Sequence, residues 1–169
     1  MEICRRDDAL EIAQLDPFLA ELLRQIPESA LTDGNDAAAE RIFSPPMNAP
    51  EEKLCAEWKN YVEPELRRLF EGATATVADD LLQLNGARHK LSNCTLSIPV
   101  AHADDWLNAL NRARLVLACK NDFNEEELGD HFRSPIGSRR DLSLFQVNFY
   151  GFLQECILRQ VLGYGGEQD

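Results

Sequence analysis

Basic residues are scarce in this chain: 17 Lys and Arg stand against 29 Asp and Glu, for a formal net charge of −12. Such a surplus repels nucleic acid and anionic membrane unless the bases gather on one face. Long apolar runs are missing as well. No stretch approaches the roughly 20 apolar residues needed to span a bilayer, and the opening MEICRRDDAL lacks the apolar core of a secretory signal. Together these absences point to a cytoplasmic protein with no membrane partner. The five cysteines (Cys4, Cys55, Cys94, Cys119, Cys156) are odd in number, far apart and without a CxxC, which argues against a disulfide framework or a structural zinc site. His89, His102 and His131 show no HxxxH or HxxE spacing, so no metal is expected. Gly163, Gly165 and Gly166 follow a helix instead of opening one, which excludes a phosphate-cradling loop there. No cofactor is implied.

What is present is an ordinary globular composition, 44% hydrophobic and 27% charged. The length of 169 residues suits one domain that buries about two-thirds of its unfolded surface. Glu2 to Arg6 and Ala9 to Gln14 alternate with a period of two around Asp7-Asp8, a hairpin. Asp16 and Pro17 open a first helix carrying Leu15, Phe18, Leu22 and Ile26 on one face, with Pro27 marking its end. A short helix follows at Ala37 to Phe43. Another starts near Pro50 with a stripe of Leu54, Trp58 and Tyr61. Beyond Pro64 a longer helix is predicted to about Leu84, its face Leu66, Phe70, Ala73, Val77, Leu81 and Leu84. Cys94 to Val100 reads as a strand able to pair with the ribbon, limited by Pro99. Asn124 caps a brief helix at Glu125 to Phe132, and a last helix runs from Asp141 to Leu162, ending at Gly163. Phe145, Phe149, Phe152 and Cys156 lie along it, flanked by Leu142 and Leu153. The expected architecture is therefore mainly α: a single-domain bundle of about five to seven helices with a small antiparallel β element near the N-terminus. The ribbon occupies residues 1–15, the helical body 16–162 with a short strand near 94–99, and a frayed tail 163–169.

The most informative stretch is DDWLNALNRARLVLACK, Asp104 to Lys120. Trp106, Leu110, Ala113 and Leu117 fall on one side of this helix, widened by Leu107 and Ala118. Arg114 lies inside that arc. An unpaired guanidinium against a core is too costly, so Arg114 must snorkel out, meet a carboxylate or bind a ligand anion. Glu155, flanking the phenylalanine face of the last helix, is the best internal partner by pattern, and Asn111 could complete a network. The competing reading is an anion site built on Arg114.

The segments WLNALNRARLVLA and FYGFLQE, with RIFSPP upstream, resemble an uncharacterised bacterial family, domain-of-unknown-function family number two thousand and seventeen. The resemblance covers roughly Ala37 to Leu158. Its pattern maps onto Trp106, Leu107, Asn111, Arg114, Leu115, Gln154 and Glu155, which adds Gln154 and Trp106 to the candidate binding set. Arg112 stands where the family usually has an acid, and Ala118 where it has glycine; the first departure argues against a catalytic Asp there. The resemblance implies a mainly helical fold with no assigned activity. It also implies a gene neighbourhood shared with the adaptor that delivers N-end-rule substrates to the Clp protease. Some members carry a transcriptional-regulator label.

Arg133, Arg139 and Arg140 sit in RSPIGSRR, a basic loop on an acidic protein and a candidate docking loop for an acidic partner. No helix-turn-helix is legible, so nucleic acid is an unlikely partner. Two readings result. In the first, a non-catalytic protein-interaction or regulatory protein, tied to Clp-type proteolysis through the family's neighbourhood, pairs Arg114 internally and keeps a surface for another protein or a second copy. In the second, a small-anion binder or enzyme presents Arg114 at the floor of an open pocket with Asn111 and Glu155. No catalytic residue is assigned under either.

Overall fold

In the computed structural model, residues 1–45, 51–84, 94–129 and 136–163 are described. Strands β1 (Glu2–Arg6) and β2 (Ala9–Leu15) pair antiparallel, Ile3 opposite Ile12 and Arg6 opposite Ala9. Asp7 takes the turn at φ 51°, a left-handed conformation that Asp tolerates better than most residues. Strand β3 (Cys94–Pro99) adds to the free side of β2, giving the order β1-β2-β3. Its register places Leu96 opposite Ile12 and Ile98 opposite Leu10, and all four side chains are fully buried on one face. A two-stranded ribbon is marginal alone; here the third strand and the helices beneath supply what it lacks.

The helices begin where the sequence provides acceptors for their first amides. Asp16 caps α1 (Pro17–Arg24), its Oδ1 accepting Leu19 N–H at 2.9 Å. Gln25 interrupts the run, and Pro27 then sits in the first turn of the short α2 (Ile26–Ser29) instead of ending a helix. Asn35 caps α3 (Asp36–Phe43). Helix α4 (Glu52–Glu57) passes through a π-helical turn at Trp58–Val62 into α5 (Glu63–Leu81), with Pro64 in the first turn of α5. After a 3₁₀ turn at Val100–His102 come α6 (Ala103–Asn121) and α7 (Glu125–Gly129). Ser138 caps α8 (Arg139–Leu162), which stops at Gly163 with φ 73°. The chain is mainly α, as its patterning predicts.

Helix α6 is the centre of the bundle. It packs against α8, α5, α2 and α3. Trp106, Leu110 and Ala113 meet Val77 and Leu81 of α5, Tyr150 and Leu153 of α8, and the buried sheet residues in one apolar cluster. The α5 face holds largely as its spacing predicts, with Ala73, Val77, Leu81 and Leu84 buried. Two stripes are corrected. Leu54 and Tyr61 are exposed, Tyr61 by 74%, because the π-helical turn adds backbone between them and breaks the period of 3.6 that would align them. Only Trp58 turns inward, donating Nε1–H to Phe43 O at 2.7 Å. On α8 the buried line runs through Gln146, Phe149, Tyr150, Leu153 and Ile157, while Phe152 is exposed. Phe18 of α1 is likewise partly exposed, against Phe145.

Two polar knots lock this arrangement. Gln146 Nε2 donates to Gln25 Oε1 and to the Tyr150 hydroxyl, each at 2.9 Å, and that hydroxyl donates to Leu22 O at 2.7 Å, tying α8 to α1. Burial pushes the Tyr150 phenol up to about 12. In the second knot Asp80, buried on α5, accepts Nε1–H of the fully buried Trp106 at 2.9 Å and faces Nδ1 of His102 at 3.0 Å. Trp106 therefore fills the core and is not presented to a ligand.

Asp80→Ala leaves the indole N–H buried without an acceptor and should cost roughly 2–3 kcal/mol in urea unfolding, whereas the exposed neighbour Asp79→Ala should stay within about 0.5 kcal/mol. Because the folded Tyr150 holds its proton to higher pH than the unfolded chain, its contribution to stability is complete below pH 10 and lost as pH rises through about 12. Absorbance titration near 295 nm should resolve one phenol ionising that late in wild type and none in Tyr150→Phe.

Candidate functional site

Helix α6 carries two arginines two positions apart, so they project to opposite flanks, about 200° apart. Arg112 points toward α2 and α5 and is buried. Its Nη1 donates to Phe70 O at 2.9 Å and to Thr74 Oγ1 at 3.2 Å, and its Nη2 donates to Ala30 O at 2.9 Å. The guanidinium lies 5.0 Å over the Phe70 ring. Burial draws its pKa down, with Glu71 opposing that and Arg67 adding to it. This cation is a tether between three helices. In the sequence Arg112 stands out only as a base where an acid is usual, although Ala109 and Val116, three before and four after it, mark its flank as apolar.

Arg114 points to the other flank, toward α8. Nη1 donates to Gln154 Oε1 at 2.7 Å, and Gln154 Nε2 donates to Leu107 O at 3.1 Å, which fixes the amide with its oxygen toward the guanidinium. Gly151 makes room: a Cβ there would stand 3.1 Å from Arg114 Cζ. The expected pair with Glu155 does not form. Glu155 is exposed and bonds Arg159 one turn further along α8. One residue of helix is 100° of rotation, so when Gln154 faces α6 its neighbour faces water. Arg114 has an amide but no carboxylate among the described residues, its Nε is buried without a partner, and burial alone lowers its pKa. It remains a cation.

Arg114 lines a cleft of about 550 Å³ between α3, α6, α7 and α8. Asn111, Leu115, Ala118 and Cys119 of α6 line it too, at helical spacings of three and four. Arg41 of α3 borders it and is exposed, with no ion pair or hydrogen bond among the described residues. Asp122 and Glu125 lie at the α7 end with Phe123 and Leu128, and Val147 of α8 completes the lining. The structure thus brings Arg114 and Asn111 together at the cleft and places Gln154 behind Arg114. It sends Glu155 to solvent and Trp106 to the core.

A second cleft of about 470 Å³, among α3, the π-helical turn and α5, is lined by Phe43, Trp58, Lys59, Glu63 and Arg67. Arg67 already pairs with Glu63 at 2.7 Å and lies 4.0 Å over the Phe43 ring, which leaves less unanswered charge there than at Arg114. In the predicted docking loop Arg133 lies outside the described residues. Arg140 bonds Glu127 Oε1 at 2.6 Å and covers the Phe123 ring at 4.6 Å, clamping α7 to α8, while Arg139 is exposed at the start of α8. The Arg140 bond, seconded by the Asn124 amide, holds the Glu127 carboxyl below its usual range. Among the described residues no group of three or more His, Cys, Asp and Glu side chains could hold a metal; His89 and His131 lie outside them.

A family model described as a domain of unknown function, DUF2017, matches residues 4–161. No curated protein and no solved structure matches the chain.

The two arginines should separate in stability. Arg112→Ala strips three acceptors and the cover of Phe70, and should cost about 2–4 kcal/mol in urea unfolding. Arg114→Ala removes one bond to a neutral amide at the edge of a cleft and should cost about 1 kcal/mol. The reverse order would show that Arg114, and not Arg112, ties the helices.

Proposed function

Taking as premise that this chain belongs to the DUF2017 family, we propose that it is a non-catalytic binding protein whose cleft beside α6 takes a small anionic group, a carboxylate foremost. One observation carries the reading: Arg114 is a half-buried guanidinium that lines an open cleft and has no carboxylate partner among the described residues. A cation removed from water without a counter-charge is a standing cost, and an incoming anion offsets it. Arg41 adds a second positive charge and Asn111 a side-chain amide, a donor set suited to carboxylate oxygens.

The position of the cleft supports recognition of a partner more than chemistry on a substrate. The guanidinium is oriented by Gln154, which is itself fixed to the backbone of α6, so the donor is held before any ligand arrives. Pre-orientation of this kind raises affinity by lowering the ordering cost. An interaction protein could receive there a carboxylate belonging to another polypeptide.

Acetate titrated at constant ionic strength against chloride, with ¹⁵N NMR detection, checks the reading. The Arg114 Nε–H and the Asn111 side-chain amide should shift and saturate at millimolar concentration, as one or two charge-assisted bonds allow. Arg114→Gln should abolish the response at Asn111. Shifts confined to surface arginines such as Arg68 and Arg159, with Arg114 silent, would sink the proposal.

A further inference from the structure

Resting on the anion reading just given, we propose that the ligand of the α6 cleft is dipolar: the C-terminal end of a peptide, its free carboxylate at Arg114 and Arg41 and a basic side chain near Asp122 and Glu125. The cleft is lined by charges of both signs, Arg41 and Arg114 against Asp122 and Glu125. Asp122 follows the last residue of α6, where it adopts a left-handed conformation at φ 51° while Phe123 N–H closes the helix on Ala118 O at 3.1 Å. Glu125 is the first residue of α7. Neither carboxylate accepts a side-chain hydrogen bond among the described residues. Among the described residues, Arg140 senses the charge of Asp122 but is held by Glu127 and the face of Phe123.

Arg114 and Asp122 form no ion pair. Eight residues of helix separate Arg114 from Asp122, about 12 Å along the axis. On α6 the lining between them is Leu115, Ala118 and Cys119, with Val147 of α8 also in the cleft. A matching ligand needs a carboxylate and a cation separated by an apolar body of about 10 Å. A free α-amino acid, whose charges flank a single carbon, cannot reach. An extended peptide rises about 3.3 Å per residue, so a terminal carboxylate and a Lys or Arg three positions earlier span the cleft. At about 550 Å³ it has the room of a site for a drug-sized ligand. A chain end fits that space with one strand leaving it, where an internal segment needs two.

The probes are fluorescent N-acylated tetrapeptide pools with Lys first and apolar residues after it. One pool has a free C-terminus, one is amidated, and one has Gln in place of Lys. By fluorescence anisotropy the free-acid Lys pool should bind, with amidation and Lys-to-Gln exchange each weakening it about tenfold, the worth of one charge-assisted bond. The doubly neutralised Asp122→Asn, Glu125→Gln protein keeps a residue that tolerates left-handed backbone. It should bind the Lys and Gln pools alike. Dependence on the carboxylate without dependence on Lys, or no peptide binding while acetate still moves Arg114, overturns the dipolar ligand and leaves the anion site standing. Loss of the acetate response itself removes both.

Discussion

Two guanidiniums on one central helix must both find acceptors, and that constraint shapes the bundle. Helix α6 packs against α2, α3, α5 and α8, so Arg112 is buried and Arg114 only partly reaches solvent. The protein answers the two charges differently. Arg112 is met by two neutral backbone carbonyls: Phe70 O inside α5, which also accepts from Thr74 Oγ1, and Ala30 O at the end of α2, where helix carbonyls lack intrahelical partners. Arg114 receives a single side-chain amide, packs its Nε and Nη2 beside Gly151, and lines a cleft. The first answer closes a structure, and the second leaves one open.

The remaining polar knots serve that centre. Asp80 fixes the indole of Trp106 and the imidazole of His102 and so sets where α6 begins against α5. The chain from Gln25 through Gln146 and Tyr150 to Leu22 sets α8 against α1. With α5 and α8 placed, Gly151 allows α8 to approach Arg114, and Arg140 draws α7 over the end of the cleft. The three-stranded sheet contributes apolar residues to the same cluster and adds no group to the cleft.

Much of the fold was legible because helix ends and strand alternation are local chemistry. Asp16 and Asn124, legible as caps, each have a side-chain oxygen that reaches an amide three residues on. Asn35 and Ser138 do the same without being expected as caps, and α8 starts two residues before the Asp141 expected. The ribbon and its third strand were visible as period-two runs, though not the bulge between Ile12 and Leu15. The stripe of Leu54 and Tyr61 misled because a π-helical turn shifts phase and leaves no clear mark in composition. At the candidate site, Arg114 and Asn111 were legible as polar positions on an apolar helix. Glu155 was off by one residue, a quarter-turn that only packing against α6 resolves.

By itself the sequence determined the helical class, the element order and the presence of charges that have to be answered. Those depend on periodicity and capping, which act over a few residues. Which charge is answered inside the protein, and which is left for a ligand, was decided only by tertiary structure. The carbonyls that satisfy Arg112 belong to residues 42 and 82 positions away along the chain, and the walls that make a cleft of Arg114 come from three separate helices. No local pattern on α6 distinguishes the two arginines. Their partners are assembled by the packing of the whole bundle.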